Sequence, residues 1–196
     1  MSKIIYSPAR LILITGIPGS GKTTLSTGIY NKSGKQLQPG LLNAIQATYI
    51  NKDAINDAFS REKRSGKIYD LLRNGVYKTM DNLAQQNLLF GNTVIIEATY
   101  QSEIQKPSWL KRYKKIAKEL KIKLKPIRCI APESIIKQRL TERNLKRDQH
   151  KISPVGWKKF LKKEPINVPW SKDGLIIDTS QNFQNNLKTV LNFLEK

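Results

Sequence analysis

The chain is short of cysteine, histidine and acid: one Cys, one His, and 15 Asp and Glu against 35 Lys and Arg. A single Cys129 excludes an internal disulfide and any metal cluster built on cysteines. It lies in an apolar stretch and reads as inert core. The lone His150 has no partner at a metal-ligand spacing, so it reads as a surface residue. No run approaches the roughly 18 apolar residues of a membrane span. The opening Met1-Ser2-Lys3-Ile4-Ile5-Tyr6 lacks the apolar segment and cleavage pattern of a secretion signal. These absences point to a cytoplasmic chain with no membrane partner. No internal repeat or low-complexity segment is present, and 196 residues suit one domain with a sizeable core.

The shortage of acid leaves a net charge of +20. Between Lys106 and Lys172 there are 21 Lys and Arg and 5 Asp and Glu, so +16 of that charge sits in one third of the chain. A field of this sign attracts polyanions, nucleic acid above all. A lysine-rich composition gives the same charge as a plain solvated surface, so charge alone leaves both readings open.

The stretch that organises the chain is Gly16-Ile17-Pro18-Gly19-Ser20-Gly21-Lys22-Thr23, which fits the phosphate-binding loop G-x-x-x-x-G-K-[ST]. Leu11-Ile12-Leu13-Ile14 precedes it and reads as a buried parallel strand. Thr23-Thr24-Leu25-Ser26 follows and opens a helix expected to run to about Asn31. The glycines admit positive φ and bring backbone close to a phosphate. Successive N–H groups then form an anion nest at a helix N-terminus. Gly16, Pro18, Gly19, Ser20, Gly21, Lys22, Thr23 and Thr24 are the expected ATP-binding residues. Lys22 reaches the β- and γ-phosphates, and the Thr23 hydroxyl ligates Mg²⁺.

Residues 32–44 show no clear period and read as a loop. Residues 48–50 are a short strand, ending at Asn51-Lys52-Asp53, and a short helix over 53–59 follows. The polar stretch 60–66 reads as mobile. From Tyr69, apolar residues recur at Leu72, Val76, Met80, Leu83 and Leu88, a helical stripe that Gly91-Asn92 stops. Residues 93–98 are a strand ending near Glu97. Trp109, Tyr113, Ile116 and Leu120 mark the next helix, with its aromatics read as core. A strand over 123–130 and a helix from Pro132 follow; Ser153-Pro154 restart a helix as cap and first residue. The last strand is 175–178 and the closing helix carries Phe183, Leu187, Leu191 and Leu194. Strands alternating with helices imply a parallel sheet covered on both faces, with ligands at its C-terminal edge.

Three motifs meet at that edge: the phosphate loop, Asp53 and Glu97. Phosphoryl transfer needs one carboxylate near the acceptor hydroxyl and one to manage Mg²⁺. Asp53 suits the first task, with N-capping as its structural alternative. Glu97 suits the second, together with Thr23; its alternative is a paired carboxylate at the sheet edge. Arg139, Arg143 and Arg147 recur every four residues and lie on one face while a helix lasts. They read as a lid that closes over the phosphates and excludes water.

On Gly16 to Thr24, Asn51-Lys52-Asp53, Val94-Ile95-Ile96-Glu97-Ala98-Thr99, Ala131-Pro132-Glu133 through Arg147, and Ile177-Asp178-Thr179, the chain resembles the small P-loop kinases. That family includes phage-type polynucleotide 5′-hydroxyl kinases, zeta-toxin-like sugar-nucleotide kinases, and gluconate and shikimate kinases. The resemblance implies that Asp53 is the general base, that Arg143 and Arg147 are lid arginines with Arg139 one turn earlier, and that the loop after Asp178 and Thr179 borders the adenine. It places Asn56 where polynucleotide kinases carry an arginine for the substrate phosphate. Pattern and resemblance together imply an α/β, three-layer P-loop kinase fold. Its five-stranded, mainly parallel sheet has helices on both faces and an Arg-rich lid. It spans 1–196 as one domain, with the substrate region at about 51–75 and the lid at about 139–152.

The implied activity moves the ATP γ-phosphate to a hydroxyl acceptor. A nucleic-acid 5′-hydroxyl end, favoured by the charge, and a small molecule or sugar nucleotide, favoured by Asn56, both stay open. The other class is a non-kinase, nucleotide-dependent protein that binds nucleic acid. Asn51-Lys52-Asp53-Ala54 fails the guanine pattern N-K-x-D at Ala54, and Ala98 stands where a water-activating ATPase carries a second acid.

Overall fold

The computed structural model describes residues 9–59, 67–104, 106 and 108–196. The N-terminal stretch 1–6 and the polar stretch 60–66 lie outside the described residues. In chain order the strands are β1 (Arg10–Thr15), β2 (Gly28–Tyr30), β3 (Gln36–Pro39), β4 (Thr48–Asn51), β5 (Val94–Glu97), β6 (Lys123–Ile130) and β7 (Leu175–Asp178). The helices are α1 (Lys22–Thr27), α2 (Leu41–Ala44), α3 (Lys52–Phe59), α4 (Lys67–Leu89), α5 (Gln101–Ile104), α6 (Ser108–Glu119), α7 (Glu133–Arg143), α8 (Lys146–Ile152), α9 (Pro154–Lys163) and α10 (Phe183–Glu195).

Five strands form the main sheet in the order β4-β5-β1-β6-β7, and all its pairings are parallel. Parallel neighbours need crossovers, and the helices that make them cover both faces. The alternation along β1 shows how. Leu11 and Leu13 pack with Val76, Met80, Ala84 and Leu88 of α4 and with Trp109, Tyr113 and Ile116 of α6. Ile12 and Ile14 point the other way, to Leu25 of α1 and Leu187, Val190 and Leu194 of α10. A third cluster joins Ile17 of the phosphate loop to Ile136 and Leu140 of α7 and to Trp157 and Phe160 of α9, seating those helices against the loop. Among the described residues, no helix is long and apolar enough to cross a membrane.

Three expectations change. The stripe on α4 runs through Val76, Met80, Ala84 and Leu88 at a strict four-residue step, which leaves Leu83 off it and exposed; Leu72, one step before Val76, is exposed as well. Helix α1 stops at Thr27 and does not reach residue 31. Gly28 adopts φ +101°, and a Cβ there would meet the Gln38 carbonyl at 2.2 Å. The chain turns out of the helix at this point, and residues 28–39 form the antiparallel hairpin of β2 and β3, followed by α2, where a loop was expected. The Gln36 side chain donates to the Thr27 carbonyl at 2.9 Å, fastening the hairpin to the end of α1.

Candidate active site

Strand β1 delivers Gly16 to the C-terminal edge of the sheet. Gly16 has φ +144°, and a Cβ there would sit 2.3 Å from the Cys129 carbonyl on β6. Only glycine lets the loop lie this close to its neighbouring strand. Lys22 opens α1 and donates through Nζ to the Ile17 carbonyl at 3.1 Å, across the loop. Pro18, Gly19, Gly21, Lys22, Thr23 and Thr24 line a cleft of about 900 Å³. Ser20 is buried behind it, with a hydroxyl that has no hydrogen-bond partner among the described residues.

Glu97 stands at the end of β5 and is only 4% exposed. Four donors satisfy its carboxylate. Oε1 accepts from the Thr23 hydroxyl at 2.6 Å and the Asn51 amide at 3.2 Å. Oε2 accepts from Ser26 at 2.7 Å and Tyr49 at 2.7 Å. The donors come from α1 and β4, so this one acid ties the phosphate-loop helix to the edge of the sheet. Burial, and then the neighbouring Glu97 carboxylate, push the Tyr49 hydroxyl well above its ordinary range, so it stays a donor. Among the described residues no group of three His, Cys, Asp or Glu side chains gathers as a metal cage. The oxygen donors beside the loop are Thr23 and Glu97.

Asp53 lies in the first turn of α3 and lines the same cleft as Lys22. It is not the helix cap. Asn51 holds that position, its Oδ1 accepting from the backbone N–H of Asp53 at 2.8 Å and of Ala54 at 3.0 Å. The Asp53 side chain is 51% exposed, with Arg147 Nη2 at 3.6 Å from its carboxylate. Asn56 is buried and is not part of the cleft lining.

The three arginines all line the cleft, but on two helices. Helix α7 ends at Arg143, and Asn144 takes the left-handed conformation at φ 45°. The four-residue register therefore breaks before Arg147, which belongs to α8. Arg139 donates to the Thr179 hydroxyl and carbonyl, each at 2.8 Å, and to the Gly19 carbonyl at 3.3 Å. Arg143 pairs with Asp148, and Lys151 reaches the other oxygen of that carboxylate at 2.7 Å. Arg147 grips both oxygens of Asp57 on α3, at 2.9 and 3.0 Å. His150 is exposed at the same cleft.

A second cavity, of about 210 Å³, is lined by Gly21, Thr24, Leu25, Arg139, Thr179 and Phe183 among others. Thr179 also donates to the Ser20 carbonyl at 3.0 Å. Asp178 does not line the cavity. It caps its own turn, accepting from the Ser180 backbone N–H at 2.9 Å and hydroxyl at 2.7 Å, bonds that hold its carboxyl below the usual range.

Sequence reasoning missed several residues of this region. Tyr49 and Asn51 alternate on one face of β4, and Ser26 lies three after Thr23 on α1, which is the only signal that they share Glu97. Asp148 is 1% exposed inside a stretch that reads as solvated charge. Burial alone would raise its carboxyl, but Lys151 and Arg143 hold it below the ordinary range. Glu164, after α9, lines the cleft with an Oε2 that has no hydrogen-bond partner among the described residues, and burial raises its carboxyl above the ordinary range.

Comparisons with known proteins agree with this architecture. A kinase candidate of Chloroflexus aurantiacus superposes with a TM-score of 0.66 at 19% identity, covering 95% of this chain and 99% of that one. A sugar kinase of Janibacter sp. HTCC2649 gives 0.61 at 18% identity, covering 96% and 95%. The APS kinase of Mycobacterium tuberculosis, in complex with AMPPNP and APS, gives 0.60 at 16% identity, covering 96% and 99%. These likenesses show a shared P-loop kinase fold. Among curated proteins, midasin of Dictyostelium discoideum is 33% identical over 107 residues, half of this chain; that match spans 2% of midasin's own length. The model of the AAA domain family matches residues 11–161, from the central strand into α9. The chain belongs to that AAA domain family of P-loop proteins.

Proposed function

We propose that the protein is a kinase that transfers the γ-phosphoryl group of ATP to a hydroxyl acceptor. The observation that carries this reading is the cleft shared by Lys22, Thr23, Glu97 and Asp53. The phosphate loop and the start of α1 hold the triphosphate, with Lys22 at the β- and γ-oxygens. The small cavity beside Thr179 takes the adenine. One hydroxyl and one carboxylate beside a triphosphate are a donor set that fits Mg²⁺, which binds through few carboxylates and substrate phosphates. When bound, the ion neutralises charge on the bridging and terminal phosphates.

Asp53 accepts the proton of the acceptor hydroxyl as its oxygen forms the new bond to the γ-phosphorus and the bond to ADP breaks. Arg143 and Arg147 sit on short helices over the cleft and act as its lid. Arg147 Nη2, 3.6 Å from the Asp53 carboxylate, brings this lid next to the base.

The test is transfer of labelled phosphate from ATP to 5′-hydroxyl oligonucleotides, beside sugars and nucleosides. Asp53→Ala removes transfer by a factor of at least ~10² while ATP binding survives; retained transfer refutes the base assignment. The net charge of +20 favours a nucleic-acid end among the acceptors. In that case oligonucleotide binding weakens steeply with salt. No product across the panel, with nucleotide-dependent binding of nucleic acid, would instead support the non-kinase class.

A further inference from the structure

Helix α6 packs on the same face of the sheet as α4, with Trp109, Tyr113, Ile116 and Ala117 buried. Its other face is almost entirely cationic. Lys111, Arg112, Lys114, Lys115 and Lys118 are exposed there, and Glu119 is the one acid of the helix. Lysines three and four positions apart lie side by side on a helix, and like charges at that spacing destabilise it. The first turn holds Lys111 and no acid, although the positive end of the helix dipole favours acid. Just past the helix, Lys121 takes the left-handed conformation at φ 53°, and the Ile122 N–H donates back to the Ala117 carbonyl at 2.9 Å. Glycine suits that position, and a lysine in it is strained. Helix stability alone would select other residues at each of these places.

Local acids neutralise part of this surface. Asp173 pairs with Lys114 at 2.6 Å, Glu119 with Lys115 at 3.7 Å, and Asp81 with Arg112 at 3.2 Å. Lys111, Lys118 and Lys121 have no ion-pair partner among the described residues. From Lys111 to Lys118 the helix rises about 10 Å, or about three phosphate steps of ~3.4 Å along a nucleic-acid strand. The buried side of α6 narrows the class of partner further. A helix that lies on a membrane turns its apolar face outward, whereas the apolar face of α6 is against the sheet. Single strands are held by stacking on aromatic rings, whereas Trp109 is 5% exposed and Tyr113 fully covered. What faces solvent is a row of ammonium groups, which suits phosphates held without regard to base, as along a duplex.

We propose that the exposed face of α6, continued by Lys121, is a docking surface for the phosphate backbone of double-stranded nucleic acid. No residue of α6 lines either cavity. The surface is therefore separate from the cleft, and it stands whether or not the chain transfers phosphate.

The experiment is fluorescence anisotropy of the full chain with a short labelled DNA duplex phosphorylated at both 5′ ends, which offers the cleft no terminal hydroxyl acceptor there. Lys111→Gln, Lys118→Gln and Lys121→Gln together weaken binding at least about tenfold and reduce the slope of log affinity on log salt by about one per lysine. Lys121→Gly suits the local backbone, so it keeps the fold and weakens binding about threefold. Thermal unfolding reports that each variant is folded. A control of equal charge change is Lys32→Gln, Lys35→Gln and Lys188→Gln, on the hairpin and α10 across the sheet, and it retains most of the affinity. Saturation of the phosphate loop with AMP-PNP and Mg²⁺ leaves duplex binding unchanged. Equal loss in the control would show a diffuse compositional charge and overturn the proposal. So would displacement of the duplex by AMP-PNP, binding unchanged in both α6 variants, or binding to phosphatidylserine vesicles with none to the duplex. Failure of phosphate transfer in the acceptor panel bears only on the kinase reading.

Discussion

Replacing Glu97 with Gln tests whether its carboxylate is the joint between α1 and β4. Gln keeps the shape but turns one acceptor oxygen into an N–H donor. Whichever way the amide settles, two donors then face it: Thr23 and Asn51 on one side, or Ser26 and Tyr49 on the other. A hydrogen bond to a charged group contributes about 1.5–3 kcal/mol. Two offsets reduce the loss. Ser26 also contacts the Lys22 carbonyl, at 3.0 Å, and so retains an acceptor. Removing a buried charge also relieves part of its desolvation cost. The net destabilisation is about 2–4 kcal/mol, or a fall of roughly 6–12 °C in Tm for a chain of this size. Urea and thermal unfolding of the ligand-free protein measure it, with Tyr49→Phe and the double variant completing a cycle. Tyr49→Phe alone removes a bond to a charged oxygen, yet costs less once Glu97 is Gln, where that bond is at best to a neutral amide. The coupling exceeds about 1 kcal/mol. Additivity of the two changes, or a Tm within ~2 °C of wild type for Glu97→Gln, refutes the reasoning.

Asp148→Asn removes the acceptor of Arg143 and Lys151 and costs about 3–5 kcal/mol, the usual result of breaking a buried pair. Its native carboxyl is held low, so its stabilisation is complete above the unfolded carboxyl range near pH ~4 and fades as pH falls through the native value. The variant loses that part of the acid limb in a stability-versus-pH titration. Glu164→Gln acts in the opposite sense. Burial raises the native carboxyl, so wild-type stability declines as pH climbs from about 4 through that raised value, and the variant is the more stable at neutral pH and not below pH ~4. Chemical denaturation at the two pH values distinguishes them. Burial pushes the Cys129 thiol up to about 12, so iodoacetamide leaves the native protein unlabelled at pH ~8 and labels it in urea, as mass spectrometry reports.

The parts of this molecule that were legible in the chain are those whose signal is local. The apolar run of β1 and the glycine spacing after it state their own geometry, because Gly16 must pass the Cys129 carbonyl and only one residue type fits. Continuous apolar strands were likewise readable from period alone, as was the existence of α4, though not which of its leucines are buried. The end of α1 was not, since Gly28 is tolerated in a helix and its turn is enforced by a contact with Gln38 that only the folded hairpin supplies. The surroundings of Glu97 were hidden for a related reason: its donors come from two elements, and polar residues at those positions satisfy any loop or surface. The arginine pattern misled in one respect. A step of four holds only while one helix lasts, and Asn144 ends it between Arg143 and Arg147. Charge counting also treats every acid alike, so it cannot separate buried Asp148 from its exposed neighbours.

Thr179 and Arg139 have a consequence for how the protein is made. The Thr179 hydroxyl bonds the Ser20 carbonyl across 159 positions of chain, and Arg139 bridges Thr179 to Gly19. The phosphate loop is therefore buttressed by a segment that leaves the ribosome long after it. A nascent chain that has extruded its glycine-rich turn still lacks this bracing until β7 arrives. Competence to hold a nucleotide thus waits on β7, and occupancy of a polypeptide that lacks it is disfavoured by the topology itself.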